Sequence, residues 1–132
     1  MTAPIPDSET PRKILVVEDD RDVRETVIQA LEDQGWLAVG VEDGAEALAW
    51  LSQNTAPALI LLDLMMPRMN GVQFRSAQLA DGGLADIPVV LLSADATLEQ
   101  KARSLGTAGY LRKPVKLASL LDVAERFVPQ RG

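Results

Sequence analysis

The sequence predicts an α/β protein built as a doubly wound parallel sheet of five strands with five helices. Apolar runs of strand length alternate along the chain with amphipathic stretches of helix length, which is the pattern of repeated βα units. Such units place helices on both faces of a parallel sheet. The chain has 132 residues and no internal repeat, low-complexity tract or linker that would divide it. We therefore expect a single domain, over residues 13–128.

Each predicted strand is a short apolar run bounded by polar or turn residues. The proline near the start of the fourth run fits the entry of a strand, where a missing N–H is tolerated. The five runs, in chain order, are KILVV at 13–17, WLAVGV at 36–41, ALILL at 58–62, IPVVLLS at 87–93 and GYLR at 109–112.

Each predicted helix repeats apolar residues at a spacing of three or four, and glycines supply several of the stops. The first helix has Val23, Val27 and Leu31 on one face and ends before Gly35. Asp20, just before it, is expected to cap its first turn. The five predicted helices span residues 21–34, 44–54, 71–80, 97–105 and 117–128.

The composition excludes several classes of function. The chain has no Cys and no His, so it has no disulfide, no Cys- or His-ligated zinc and no His-based acid–base catalysis of its own. A net charge of −6 argues against direct nucleic-acid binding through phosphate contacts. No apolar run approaches the roughly 20 residues that span a bilayer. We expect a cytoplasmic protein without membrane insertion, with flexible tails at residues 1–12 and 129–132.

Acidic side chains follow two of the predicted strands at the point where each strand ends. The first strand ends in Glu18 and Asp19, and the third ends in Asp63. If these strands are neighbours, the three carboxylates converge at one edge of the sheet. Two such charges about 5 Å apart repel by roughly 3 kcal/mol at an effective dielectric constant near 20. A cluster of oxygen ligands without His or Cys favours a hard cation, and Mg²⁺ is the natural candidate.

Two further strand ends add a hydroxyl group and a cation. The fourth strand ends in Ser93, and the fifth leads to Lys113, which is followed by Pro114. A lysine that faces an acidic cluster pairs with a carboxylate or with an oxyanion attached to one. A proline in this position also raises the chance of a cis peptide bond. Together these groups suit in-line phosphoryl transfer to an aspartate.

Four segments then carry a family resemblance. In order and spacing, ILVVEDD, LILLDLMMPRMNG, VVLLSA and GYLRKP resemble the receiver domain of bacterial two-component response regulators, the CheY-like superfamily. The resemblance implies a flavodoxin-like fold with strand order 2-1-3-4-5. It implies that Asp63 is the phosphoacceptor and that Glu18, Asp19, Asp63 and the backbone carbonyl of Met65 hold Mg²⁺. The Met65 side chain itself is expected to pack.

The resemblance also assigns the remaining site residues. It implies that Ser93 and Lys113 bind the phosphoryl oxygens, and that Ser93 and Tyr110 form a switch. Three departures from the family pattern are mild: Glu18 where Asp is also frequent, Ser93 where Thr is common, and Asn70 where Asp is common. The longer side chain of Glu18 is compatible with a water-mediated contact to the metal.

The function implied is that of a stand-alone phosphoryl-accepting regulator in a phosphorelay. Its phosphoryl donor is a phosphohistidine on a sensor histidine kinase or a histidine phosphotransfer protein, and its target is an unknown downstream protein. It signals through the surface of the fourth helix, fifth strand and fifth helix, and it is no enzyme beyond assisting its own phosphorylation and dephosphorylation.

Three alternatives stay open. The first is an aspartyl-phosphate phosphohydrolase of the haloacid dehalogenase type, although such enzymes usually carry a second acid where Met65 stands. The second is a receiver fragment of a hybrid kinase or of a longer regulator. The third is a receiver-like protein that only binds partners, which is disfavoured because every expected type of site residue is present.

Overall fold

The structure of the protein, a computed structural model, describes residues 12–130. The predicted N-terminal tail lies outside the described residues except for Arg12, as do the last two residues of the predicted C-terminal tail. The strands are β1 (Lys13–Val17), β2 (Leu37–Val41), β3 (Leu59–Asp63), β4 (Val89–Ser93) and β5 (Gly109–Arg112). The helices are α1 (Arg21–Asp33), α2 (Gly44–Gln53), α3 (Gly71–Ala80), α4 (Leu98–Ser104) and α5 (Leu117–Phe127).

The five strands form one parallel sheet in the order β2-β1-β3-β4-β5. The predicted fold class and strand order are confirmed. In this order β1 lies between β2 and β3, and the chain changes direction across the sheet at the β1–β3 boundary. Ligand sites of open α/β sheets lie at such a boundary, beyond the carboxyl ends of the strands.

Alternate residues of each strand pack on opposite faces of the sheet. Ile14 and Val16 of β1 face α1 and α5, whereas Leu15 and Val17 face α2, α3 and α4. The central strand β3 is buried along its whole length. Burying an aliphatic side chain of this size stabilises the fold by about 1.5–3 kcal/mol. Two apolar layers therefore hold the strand ends that carry the acidic residues.

Several element boundaries differ from the predictions by one or two residues, for local reasons. The second predicted strand includes Trp36, which instead precedes β2. Its backbone N–H donates to Leu31, and its indole N–H donates to Val128 at 2.7 Å. Ile87 and Pro88 precede β4, and Ile87 donates back to Leu84 within its own turn. None of the helices in the described range 12–130 is long and apolar enough to cross a bilayer.

A buried polar network joins α3 to the end of α4. The guanidinium of Arg75 donates to the carbonyls of Leu105 and Gly106 at 3.0 and 2.8 Å and to the side chain of Gln78 at 2.7 Å. Gln78 in turn donates to two carbonyls of the α3–β4 connection. Arg75 thus satisfies carbonyls at the C-terminal end of α4, where a cation is favoured.

Candidate functional site

Glu18 continues directly from β1 and is fully buried. Its backbone N–H donates to the carbonyl of Val41 on β2 at 3.1 Å, and its own carbonyl accepts from Arg24 at 2.9 Å. Its Oε2 accepts from the backbone N–H of Asp20 at 3.1 Å. Both the main chain and the side chain of Glu18 are therefore fixed at the edge of the sheet.

Asp19 and Asp20, the next two residues, have different surroundings. Asp20 caps α1, as predicted, because its carboxylate accepts from the N–H of Val23 at 3.1 Å. Asp19 is exposed to solvent and is free of this capping role. Asp20 therefore serves the helix terminus, and Asp19 is left to the acidic cluster.

Asp63 is the last residue of β3 and is 2% exposed. The apolar run ends at Leu62, and the strand ends on Asp63, as predicted, because Asp63 still pairs with Leu92 of β4. Gly71 packs closely behind it: a Cβ on Gly71 would lie 2.5 Å from the carbonyl oxygen of Asp63. Only glycine allows the start of α3 to approach the strand so closely.

The predicted convergence of the three acids is confirmed. Oxygen atoms of Glu18, Asp19 and Asp63 all lie within 4.8 Å of one another. Lys113 balances this charge, since its Nζ lies 2.6 Å from Glu18 Oε1 and 3.4 Å from Asp63 Oδ1. A buried group of like charges is tolerated only with such a counter-charge.

The cluster shifts the pKa values of two of its members. Burial, reinforced by the negative charge of Glu18, raises the pKa of Asp63 to about 7, even though Lys113 pulls it down. Burial by itself lowers the pKa of Lys113, but its contact with Glu18 and its attraction to both carboxylates outweigh burial and leave the pKa raised. Lys113 is therefore a cation at neutral pH, and Asp63 is poised to gain or lose a proton.

The residues at this edge fit a hard divalent cation. All three side chains offer oxygen, and their ligand atoms lie close enough together to share one ion. Carboxylate oxygens at this spacing are the ligands that Mg²⁺ prefers. Met65, whose carbonyl is the predicted fourth ligand, is 70% exposed. The expectation that its side chain packs is wrong, because it lies on the open loop after β3.

Ser93 and Tyr110 lie on the adjacent strands. Ser93 ends β4 and is buried, and its hydroxyl accepts from the backbone N–H of Asp95 at 3.1 Å. The backbone N–H of Lys113 donates to the Ser93 carbonyl at 3.0 Å, and the Lys113–Pro114 peptide bond is cis. Tyr110 is 37% exposed, and its hydroxyl donates to Glu99 of α4 at 3.3 Å. The structure thus places Ser93 beside the cluster and Tyr110 on the outer surface.

Asp95 connects these two residues and was not anticipated from the sequence. Its carboxylate accepts from Lys101 at 2.6 Å and from Thr97, and the contact with Lys101 holds the pKa of Asp95 well below its usual range. Its backbone carbonyl accepts from Arg112, which lies over the ring of Tyr110. The spacing of Asp95 and Thr97 is typical of a turn in which Asp bonds the backbone two residues on, and this is the signal that could have located it.

We expect the metal-free protein to lose stability as the pH rises from about 4 to about 7. Since the pKa of Asp63 is raised from its ordinary 3.8 to about 7 in the fold, the folded state retains a proton that the unfolded chain releases in this interval. The loss from this group is on the order of a few kcal/mol. Urea unfolding with a chelator present, for the parent and Asp63→Asn, measures it. Equal pH dependence in both proteins would contradict the raised pKa.

Comparison with known proteins agrees with this geometry. The family model of the response regulator receiver domain matches residues 14–125. PhoB of Escherichia coli strain K12, a phosphate regulon transcriptional regulatory protein, is 41% identical over 124 residues, which cover 89% of this chain and 54% of PhoB. The chain spans about half the length of curated relatives such as this one.

Two solved structures match nearly the whole chain. The chemotaxis response regulator CheY4 of Vibrio cholerae has a TM-score of 0.79 and 30% identity, covering 90% of this chain and 100% of CheY4. The receiver domain of a histidine kinase from Syntrophus aciditrophicus has a TM-score of 0.79 and 30% identity, covering 92% of this chain and 95% of that domain. The chain therefore belongs to the response regulator receiver domain family, whose members act in phosphorelay signal transduction.

Proposed function

We propose that Asp63 accepts a phosphoryl group from a phosphohistidine of a partner protein, in a reaction that requires Mg²⁺. The observation that supports this most strongly is the meeting of Glu18, Asp19, Asp63 and Lys113 at the carboxyl edge of the sheet. Glu18 is also buried and close to the lysine, but only Asp63 combines these properties with a place on the central strand. The resemblance to receiver domains points to the same residue.

The transfer requires one bond to form and one to break. A carboxylate oxygen of Asp63 attacks the phosphorus as the bond to the histidine nitrogen breaks, and the imidazole departs with the electron pair of that bond. Lys113, now bound to Glu18 and Asp63, is placed to contact the incoming phosphoryl oxygens, and Ser93 supplies a hydroxyl donor. Glu18, Asp19, Asp63 and the Met65 carbonyl would hold Mg²⁺. When bound, Mg²⁺ neutralises charge on the transferred group.

The enzymatic role that we propose is limited to this chain's own modification. Lys113 and Ser93 assist phosphorylation of Asp63. A water molecule that attacks the phosphorus opposite the bond to Asp63 removes the phosphoryl group as inorganic phosphate. The aspartyl-phosphate phosphohydrolase alternative gains no support, because the position two residues after Asp63 carries the exposed Met65 rather than an acid. The proposed partners are a histidine kinase or phosphotransfer protein as donor and a downstream protein as target, in the cytoplasm.

Incubation with a small acyl-phosphate donor tests the proposed acceptance of a phosphoryl group. With Mg²⁺, we expect the intact mass to rise by one phosphoryl group, and we expect no rise when a chelator replaces Mg²⁺. The adduct should be cleaved by hydroxylamine, as acyl phosphates are and phosphoserine is not. An unlabelled protein that remains folded, or an adduct stable to hydroxylamine, would contradict the proposal.

We propose further that phosphorylation changes the surface formed by α4, β5 and α5. The Ser93 hydroxyl accepts from the N–H of Asp95, and Asp95 is tied to Lys101 of α4 and to Arg112 of β5. If Ser93 turns toward the phosphoryl group, this connection loosens and Tyr110 can leave Glu99 and rotate inward. The proposed change is a shift in the populations of two conformations of this surface. To move their ratio from 1:99 to 99:1, phosphorylation must favour one conformation by about 5.5 kcal/mol.

Amide chemical shifts test this coupling. On phosphorylation we expect shifts not only beside Asp63 but also at Asp95, Lys101 and Tyr110. Asp95 and Lys101 belong to the hydrogen bonds that start at Ser93, and Arg112, which donates to Asp95, lies over the ring of Tyr110. Ser93→Ala should accept phosphate and lose the shifts around Tyr110. Shifts confined to the residues after Asp63 would count against the switch.

A further inference from the structure

The loop that follows Asp63, residues 64–70, is attached at its tip to the N-terminal end of α2. Arg68 donates from Nε to Asp43 Oδ2 at 2.7 Å, and a second guanidinium nitrogen contacts the same oxygen. The carbonyl of the next residue, Met69, accepts from the N–H of Gly44 at 3.0 Å. A Cβ on Gly44 would lie 2.6 Å from the Met69 side chain, so the two segments are in close contact.

Asp43 is a firm anchor for this contact. It is 1% exposed and caps α2, since its Oδ1 accepts from the N–H of Glu46 at 2.8 Å. Burial favours its neutral form, but the hydrogen bonds from Glu46 and Arg68 outweigh burial and lower the pKa of Asp43. The anchor is therefore an ionised carboxylate fixed at a helix terminus, with one oxygen committed to the helix and the other to the loop.

The backbone of Arg68 adopts an unfavourable conformation at this contact. Its φ of +61° lies in the left-handed region, and Arg68 is the one non-glycine residue there within residues 12–130. A side chain with a Cβ adopts this conformation only when the surroundings determine it. Two-thirds of the Arg68 side chain is exposed, so packing does not determine it. The contact with the buried Asp43 holds it, together with the hydrogen bond that the neighbouring Met69 carbonyl accepts from Gly44.

The base of the same loop lies next to Asp63. The N–H of Gly71 donates to the carbonyl of Leu64 at 3.1 Å and closes the loop, directly behind the Asp63 carbonyl. Between base and tip lies Met65, the proposed carbonyl ligand, which is 70% exposed. Its N–H reaches Asp63 Oδ1 only at 3.4 Å, which is a weak contact. The segment around Met65 is therefore held from its two ends.

We propose that Asp43 and Arg68 form a positioning clamp that holds residues 64–70 in the conformation that binds Mg²⁺ beside Asp63. This inference rests on the proposed function and adds two residues to it, neither of which touches the transferred group. Without the clamp the loop must be ordered when the cation binds, and that ordering weakens the affinity. Once the cation is bound, the loop is ordered again and phosphoryl transfer proceeds as before.

Arg68→Ala tests the clamp while leaving the capping of α2 by Asp43 in place. In the metal-free protein, we expect the amides of Gly44 and Gly71 to exchange with solvent about 10-fold faster, because both donate to carbonyls of the loop. We expect the Mg²⁺ dissociation constant, measured by calorimetry, to rise by about 10-fold. At saturating Mg²⁺, the rate of labelling by an acyl-phosphate donor should stay within about twofold of the parent.

Three further variants separate the clamp from other effects. Arg68→Lys keeps a cation and should bring the dissociation constant back to within about threefold of the parent. Arg68→Gly relieves the left-handed backbone but removes the side chain, so it should bind Mg²⁺ as weakly as Arg68→Ala. Arg126→Ala, on the exposed face of α5, removes the same charge away from the loop and should change neither amide exchange nor affinity.

Parent-like amide exchange and Mg²⁺ affinity in Arg68→Ala would overturn the clamp, as would full recovery of both in Arg68→Gly. If the parent itself neither binds Mg²⁺ nor accepts phosphate, the proposed function fails, and the contribution of the clamp to metal binding fails with it. Amide exchange in the metal-free protein identifies that case, because faster exchange in Arg68→Ala would still show that the contact holds the loop.

Discussion

Asp63→Asn is expected to abolish phosphoryl incorporation from small acyl-phosphate donors and from a phosphohistidine partner. The amide nitrogen of Asn donates hydrogen bonds where the carboxylate supplies the attacking oxygen, and the amide oxygen is a far weaker nucleophile. Intact mass after incubation with donor and Mg²⁺ measures the effect. Complete loss is the expected result, because Asp63 is the only one of the three acids that is both buried and on the central strand.

The same variant should fold well, so the loss is not explained by unfolding. Asn has nearly the shape of Asp, and replacing Asp63 removes a buried charge that Glu18 repels. Metal-free Asp63→Asn is therefore expected to melt at or above the temperature of the parent near pH 7. A matched variant, Asp20→Asn, keeps a good helix cap and should still be labelled. Labelling of Asp63→Asn at the parent rate would place the acceptor elsewhere.

Lys113→Met is expected to lower the free energy of unfolding of the metal-free protein by about 3 kcal/mol at neutral pH. Lys113 is the cation that contacts both Glu18 and Asp63, and Glu18 is fully buried. Removing Lys113 leaves the Glu18 carboxylate buried without its counter-charge. Asp63 can take up a proton, because its pKa is already about 7, so the cost falls mainly on Glu18.

Chemical denaturation of the parent and three variants checks this expectation. Lys101→Met removes the lysine of a more exposed pair, with Asp95, and should cost only about 0–1 kcal/mol. The double variant Lys113→Met/Glu18→Gln should recover most of the lost stability, since no unpaired buried charge remains. Mg²⁺ should stabilise Lys113→Met more than the parent. A cost no larger than that of Lys101→Met would mean that Lys113 does not balance the buried acids.

The main site residues could be predicted from the sequence because each follows an apolar run. In a parallel sheet such runs end at the same edge, so Glu18, Asp19 and Asp63 converge because β1 and β3 are neighbours. Lys113 follows the edge strand β5 and reaches the acids with its long side chain. The positions of the apolar runs in the sequence predict where each strand ends, and no distance between residues is needed for this. Asp63 interrupts the apolar pattern of β3 but not the pairing with Leu92, so the strand extends one residue beyond its apolar run.

The contacts that hold the site were not predictable in this way. Arg68 meets Asp43 across 25 positions of sequence, and Arg75 meets Leu105 across 30. Such pairs depend on how loops and helix ends meet in three dimensions, and neither charge nor periodicity indicates them. Of these four residues, Asp43 had a local signal, because an acid followed three residues later by Glu46 has the spacing of a capping box.

Reductive trapping locates the phosphoryl group most directly. Borohydride reduces an aspartyl phosphate to homoserine, so treatment of the labelled protein followed by peptide sequencing identifies the modified residue. We expect homoserine at position 63, in an amount that depends on Mg²⁺. Homoserine at another aspartate, or no homoserine in a protein whose mass shows the label, would contradict the assignment of Asp63 as phosphoacceptor.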